Sequence, residues 1–398
     1  MQPELLRIGW SPVRIFYICF KNTGLNAHQN HSWTTRFLRN KLAVAGLGLV
    51  LLCAGIGLLG ANIRPDTTRH ANLMCLPIAR QHPGFSCWLF FPEAAPTGGT
   101  WWLNLAFGGE DGVGRAEALS RFEANADSLV VFSRLGRSGE ERLAYAWSTW
   151  PETQTAEGRA RWMQRHLVKR TFWLGTDRFG RDLLSRLMAG TLVSLSVGSV
   201  AVFLSLLIGV VLGALAGYFR GWLDSFISWL FQVVWAIPTL LLVISITLLL
   251  GKGFWQVFVA VGCSMWVEVA RLVRGQYLSF REQEFVQAAR VLGFGHVRIM
   301  FRHILPNAMG PVVVMASANF ANAILLEAGL SFLGIGAQAP MPTWGGMIKD
   351  HYGYITLDAA FLAVLPGAAI MLLVLAFLFM GNGLRDALDT RQAHLSAS

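Results

Sequence analysis

The residues of this chain that could do chemistry are few, and their spacing serves none. The acids Glu110-Asp111 and Glu140-Glu141 come as sequence neighbours in segments that read as turns, where paired carboxylates are solvated loop charges rather than a catalytic dyad. His70 and His82 lie near Cys75 and Cys87, but at no spacing that suits a metal. Gly251-Lys252-Gly253 lacks both the earlier Gly and the Ser/Thr of a phosphate-binding loop, so ATP hydrolysis is not expected. No nucleophile–base set has usable spacing, and no metal or cofactor is expected on this chain. What remains is the chemistry of contact. A polar stretch of six Arg, 271–306, stands between two apolar segments, and within it two Ala follow Gln287, with Gly293 four residues after the second.

That contact surface must be held by a membrane protein. Of 398 residues 54% are hydrophobic and 14% charged, with mean hydropathy +0.47, too apolar for a soluble domain of this length. Segments 42–63, 187–219, 225–251, 308–326 and 359–384 are long enough to cross about 30 Å of hydrocarbon. A sixth, 253–267, reaches only if extended to 273, which admits Glu268 and Arg271 near one end. The expected fold class is an all-α polytopic membrane protein of about six spans, with a β-containing insertion between the first two.

Orientation follows the Lys/Arg bias. Arg7, Arg14, Lys21, Arg36, Arg39 and Lys41 precede the first span, and Arg271, Arg274, Arg281, Arg290, Arg298 and Arg302 lie in the polar stretch. Six spans put both on one side, the cytoplasmic side of a bacterial inner membrane. This accounts for the net charge of +10 without nucleic acid, anionic lipid being the partner. The 1–41 tail shows no cleavable signal peptide, and its 13–20 aromatic patch is too short to span. The 391–398 tail is expected inside.

The insertion, 64–172, is placed outside. Short apolar-aromatic runs at 87–91, 101–107, 128–132 and 143–147 alternate with Gly/Pro breakers and predict a few strands. Its role is not readable, and a Cys75–Cys87 disulfide is open in an oxidising compartment.

In the second span Ala201, Ser205, Gly209, Gly213 and Gly217 recur every four residues, a smooth strip for another backbone. It serves either a pore or subunit contact or plain packing within the chain. Pro238 and Pro366 should kink their helices. Glu327, at the end of the fifth span, predicts a functional carboxylate or a structural ion pair.

In the polar stretch Phe285, Ala288, Ala289 and Leu292 fall at i, i+3, i+4 and i+7 and make one apolar face. Gly293 can take the left-handed turn that ends this helix. A second helix over 297–303 should stop at Leu305-Pro306. Such a hairpin suits a soluble partner's cleft, or the bilayer surface.

The pattern of Gln287, Ala288, Ala289, Gly293, His303, Leu305 and Pro306 resembles the ATPase-docking loop of ATP-binding-cassette importer permeases. The likeness extends over most of 173–391: the 174–186 segment with Asp177, Gly180, Arg181 and Asp182; Arg271 and Arg274; the 327–336 segment; Pro342-Thr343-Trp344-Gly345; Leu365-Pro366-Gly367; and 383–389. It is similar to the second-permease (OppC/DppC-like) type of the dipeptide, oligopeptide and nickel importers. The resemblance implies a 173–390 five-helix core and a peptide, or other small-solute, permease. It also implies partners: two cytoplasmic ATPases carrying ATP and Mg, a second permease and an external solute-binding protein. Gln287 stands where the general motif has Glu, which removes a salt bridge to the ATPase there but not docking. Arg181, with carboxylates four residues before and one after, is expected either to fix an external gate or to anchor the span among headgroups. Ion-coupled transport would need an ionisable residue near mid-bilayer, and Glu268 and Glu327 both read as span ends.

Overall fold

Apolar runs in a bilayer must satisfy their backbone internally, and here they do so as helices. The computed structural model describes residues 33–92, 116–135, 139–251 and 253–388. The 13–20 patch, the 101–107 run, Glu110-Asp111, Lys252 and the 391–398 tail lie outside them. Helices α1 (Trp33–Arg39) and α2 (Lys41–Ile63) precede a β-sheet segment that carries α3 (Ala156–His166). Then come α4 (Leu183–Phe219), α5 (Gly221–Trp235), α6 (Thr239–Leu250), α7 (Phe254–Ser264), α8 (Trp266–Phe280) and α9 (Glu284–Val291). The last three are α10 (His296–Phe332), α11 (Trp344–His351) and α12 (Phe361–Leu388).

Five units are long and apolar enough to cross: α2, α4, α7–α8 together, α10 and α12. The pair α5–α6 qualifies jointly but turns through 91° at Ala236–Pro238. Pro238 has no N–H and disfavours helix at Ile237, so the expected kink becomes a right angle. Packing decides whether this pair crosses. Gly209 faces Val269, Gly213 faces Val273 and Gly217 faces Tyr277, so α4 and α8 run parallel. Near the start of α4, Val193 and Val197 pack on Phe258 of α7. The end of α4 and the start of α7 therefore lie at opposite ends of the bundle, and α5–α6 joins them. Six crossings result.

The segment expected to end near residue 273 continues to Phe280 as α8. Of its most apolar stretch 67% is buried inside the chain. On α8 Val269, Ala270, Val273 and Tyr277 are buried, while Glu268 and Arg271 lie on the exposed side. This corrects the placement of Glu268, which lies at the middle of Phe254–Phe280 and not near an end.

The glycine strip is resolved as packing within the chain. A Cβ at Gly209 would stand 2.6 Å from that of Val269, and one at Gly217 2.6 Å from that of Tyr277. The small residues let the α4 and α8 backbones approach.

The polar β-segment forms one antiparallel sheet of β1 (Phe85–Phe90), β2 (Glu117–Ala124), β3 (Ser128–Leu135), β4 (Gly139–Ala146) and β5 (Leu167–Phe172), ordered β4-β3-β2-β1-β5. Cys87, Leu89 and Phe91 of the β1 run face a cluster with Leu73, Cys75 and Ile78. Phe90 faces the opposite cluster, with Trp147 and with Trp162 of α3. Buried on both faces, β1 reads as a nearly unbroken apolar run. β2 and β5, more polar, escape sequence reading. Glu140 and Glu141 lie within β4, not at a turn, and Glu140 sits 3.9 Å from Arg121 across the sheet. No Cys75–Cys87 disulfide forms: Cys75 is a buried thiol, its ionisation pushed up to about 11 by burial.

Candidate functional site

Two constellations carry the sequence-predicted residues, at opposite ends of the bundle. The first is the polar hairpin. Helix α9 ends as expected, with Gly293 at φ +75° and Phe294 N–H bonded back to Ala289 O at 3.1 Å. The inward side of α9 is Val286 and Ala289, which join Tyr277, Ile299, Met300 and Ile304 in one core. Phe285, Gln287, Ala288 and Leu292 point out to the surface, with Leu292 71% exposed. Val291 and Val297, which sequence reasoning missed, extend this apolar edge at 88% and 70% exposure. Three of the four residues of the proposed face are thus uncovered, and Ala289 alone is buried.

His303 and Leu305 are half-buried and do not share that edge. The His303 ring stacks on Phe294 at 5.5 Å and holds the turn against α10. The stop expected at Pro306 does not occur. Residues 299–304 widen into a π-type turn, with Leu305 N–H bonding Met300 O, and α10 runs on to Phe332. The shifted register accommodates a residue without an N–H.

The hairpin is tied to the spans by side chains. Tyr277 Oη donates to Met300 O at 2.9 Å, and Arg281 Nη1 to Tyr218 O at 2.6 Å. Arg274 grips Asp224 through two bonds of 2.5 and 2.8 Å, and Arg220 meets Glu282 at 2.7 Å. These bonds link the segment that leads into α9, and the 299–304 turn that follows it, to α4, α5 and α8. Gln287 Nε2 donates to Glu282 O at 3.1 Å within the hairpin.

The second constellation surrounds Asp177, which is fully buried. Its Oδ1 accepts the N–H groups of Phe179 (2.8 Å) and Arg181 (2.9 Å), and its Oδ2 receives Arg181 Nε at 2.6 Å. Arg186 Nε lies 3.7 Å from the same oxygen. Gly180, at φ +73°, passes so close to the Cys75 backbone that a Cβ would overlap it. Asp182 caps α4 by accepting Ser185 N–H at 2.9 Å, and burial pushes its carboxyl up against the pull of that capping. Asp66 N–H donates to Ser185 Oγ at 2.9 Å, and Arg181 Nη1 to Asn72 Oδ1 at 3.0 Å. The four predicted residues come together, but with Asp66, Asn72 and Arg186 as partners that their own segment does not all announce. Arg181, 4% exposed, does not snorkel among headgroups; it knots the 64–82 segment to the start of α4.

Glu327 is buried in α10, its Oε1 accepting Ser331 Oγ at 2.7 Å, and forms no ion pair among the described residues. Beside it α11 docks through Trp344, whose Nε1 donates to Leu187 O at 3.0 Å. No cluster of His, Cys, Asp and Glu among the described residues could hold a metal.

A bundle of six crossings with a hairpin exposed at one end defines a polytopic membrane protein. Residues 209–394 match the family described as binding-protein-dependent transport system inner membrane component. A dipeptide transport system permease protein, DppC, of Alkalihalophilus pseudofirmus is 45% identical over 219 residues, 55% of this chain and 72% of that protein. A glutathione transport system permease protein, GsiD, of Pectobacterium atrosepticum is 42% identical over the same shares. The oligopeptide transport system permease protein OppC of Bacillus subtilis is 39% identical. A solved methionine ABC transporter in an inward-facing conformation is 21% identical with a TM-score of 0.44, covering 52% of this chain and 98% of that one. The chain belongs to the binding-protein-dependent inner-membrane permeases, of the OppC/DppC type. The match leaves the β-sheet segment outside its bounds.

Proposed function

We propose that this chain imports short peptides as one of two permease subunits, driven by two cytoplasmic ATPases and fed by an external binding protein. The observation that carries this reading is the exposed apolar edge of Phe285, Val291, Leu292 and Val297 on a hairpin whose other side is locked into the span core. An apolar edge on a rigid mount suits a soluble protein's cleft, and the ties to α4, α5 and α8 would pass that protein's motion to the pore. Peptides are the substrate class because the relatives carry dipeptide, oligopeptide and glutathione transport in their names. The docking hairpin and both termini would lie in the cytoplasm, with the sheet outside, and the Asp177 knot would brace the external end of α4.

Gly293→Val tests the docking role. No atom stands within 4 Å of the position a Cβ would take there, so the substitution strains only the backbone. That strain is about 1–2 kcal/mol, enough to redirect α9 without unfolding the bundle. The variant should insert normally, lose copurification with its ATPases and lose uptake. Wild-type uptake at normal expression would remove the hairpin from the mechanism.

A further inference from the structure

A carboxylate half-way through a membrane span is costly unless it faces a pathway or a partner. Glu268 is such a residue, the fifteenth of the span Phe254–Phe280. It lines a cavity of about 230 Å³ formed where three elements are irregular or polar together. Trp235, Ile237 and Thr239 come from the elbow between α5 and α6, Ser264 from the break between α7 and α8, and Asn322 from α10. Glu268, Asn322 and Trp235 are all exposed, so the cavity opens on the surface of this chain. Enclosed small-molecule sites run to roughly 300–1,000 Å³, so a cavity of about 230 Å³ that opens on the surface has the size of one wall of such a site.

The charges around Glu268 leave it available. Among the described residues it forms no ion pair. Arg274 is held by Asp224 at 2.5 Å, and Arg271 lies over the Trp235 ring at 4.0 Å from its centroid. Glu268, which lines the cavity, and Arg271, which contacts the cavity-lining Trp235 from outside it, thus stand one turn apart on α8. Cβ atoms at that spacing are about 5–6 Å apart on a helix. A molecule with an ammonium and a carboxylate separated by two residues, roughly 7 Å, spans such a pair.

We infer that Glu268 receives the ammonium group of the passing solute mid-way along this span, with Arg271, one turn further on, placed for the solute's carboxylate. The inference rests on the peptide-importer reading and names the group of the peptide that this subunit handles. A zwitterion crossing an apolar path loses hydration at both ends, and a carboxylate and a guanidinium one turn apart replace it.

The test uses the whole complex, with binding protein, both permeases and ATPases, in proteoliposomes, with radiolabelled dialanine as the probe. In Glu268→Gln the complex still assembles and uptake per ATP hydrolysed falls about tenfold, the loss of one hydrogen bond to a charged group. Glu268→Asp, which keeps the charge, recovers part of it. Unchanged uptake per ATP in Glu268→Gln, with the wild type active, overturns the inference alone. Failure of Glu268→Gln to assemble also overturns it, making the carboxylate a structural partner of the facing subunit. A wild-type complex that takes up no short peptide sinks the importer reading, and this inference with it.

Discussion

At the scale of single residues, the groups that matter are those whose charges cannot be dropped. Asp177 is enclosed by two guanidinium groups and two backbone N–H groups, so each member of the knot is needed by the others. Removing one partner of a buried ion pair strands the other charge, which costs about 3–5 kcal/mol. The neighbouring His351 is where the knot meets pH. Its Nδ1 lies 2.7 Å from Met347 O, which requires the proton there, and its Nε2 accepts Arg178 N–H at 3.4 Å. Burial pushes the imidazole below its ordinary range, against the Met347 bond and the charges of Asp177 and Asp350, while Arg178 adds to the depression. A depressed imidazole binds fewer protons folded than unfolded. Stability is therefore full above the free-imidazole value of about 6.5 and declines as pH falls below it. Thermal unfolding in detergent should show a midpoint falling between pH 7.5 and 5.5, and a smaller fall in His351→Asn. Equal slopes for the two would remove His351 as the cause. The sequence makes Asp177, Arg181 and Asp182 legible because they are neighbours in a polar lead-in to a span. Asp66, Asn72 and His351 were not legible, since only the folded loop brings them to that lead-in.

Among elements, periodicity was legible and register was not. The four-residue repeat of Gly209, Gly213 and Gly217 identified a close-packed helix face, yet its partner could not be read. α8 looked too polar to be a complete span. The structure answers both at once: α4 covers the apolar side of α8 at Val269, Val273 and Tyr277, and the polar Glu268 and Arg271 are left on its exposed side. A Cβ at Gly213 would meet the Ala270 backbone carbonyl and stand 2.9 Å from the Val273 Cβ. Overpacking of this kind costs about 1–3 kcal/mol where neighbours can yield, and a backbone carbonyl yields little. Gly213→Leu should therefore separate α4 from α8 and sharply lower the amount of folded protein recovered from membranes, whereas Gly213→Ala should be milder. Normal recovery of the leucine variant would mean that the contact is dispensable. Pro306 misled for a related reason. A proline excludes an i→i−4 bond but not the wider π-type turn, and nothing local distinguishes a helix that stops from one that changes register.

For the whole molecule, the geometry fixes which ends lie together, and the proposal of which side each end occupies rests on charge. Because α4 and α8 are parallel and joined through α5–α6, the hairpin lies at the opposite end of the bundle from the sheet segment. The Arg220–Glu282 and Arg281–Tyr218 contacts at the hairpin end, and the Asp177 knot at the sheet end, mark the two poles. The six Arg between 271 and 306 are the ground for proposing that the hairpin pole lies in the cytoplasm, since basic segments are retained there. Accessibility of single cysteines to a membrane-impermeant maleimide checks this in intact cells. Ala126, exposed in the turn between β2 and β3, and Val291, exposed at the end of α9, are suitable positions. Ala126→Cys should label in intact cells above the level of the unmodified chain, and Val291→Cys only after the membrane is opened. Neither position has a buried contact to lose, so the substitutions leave the fold intact. Labelling of both from outside would place the Arg-rich hairpin beyond the reach of any cytoplasmic ATPase. The docking proposal could not survive that result, whereas the six-crossing bundle, which rests on packing rather than charge, would require only that the two sides be exchanged or the crossing count revised.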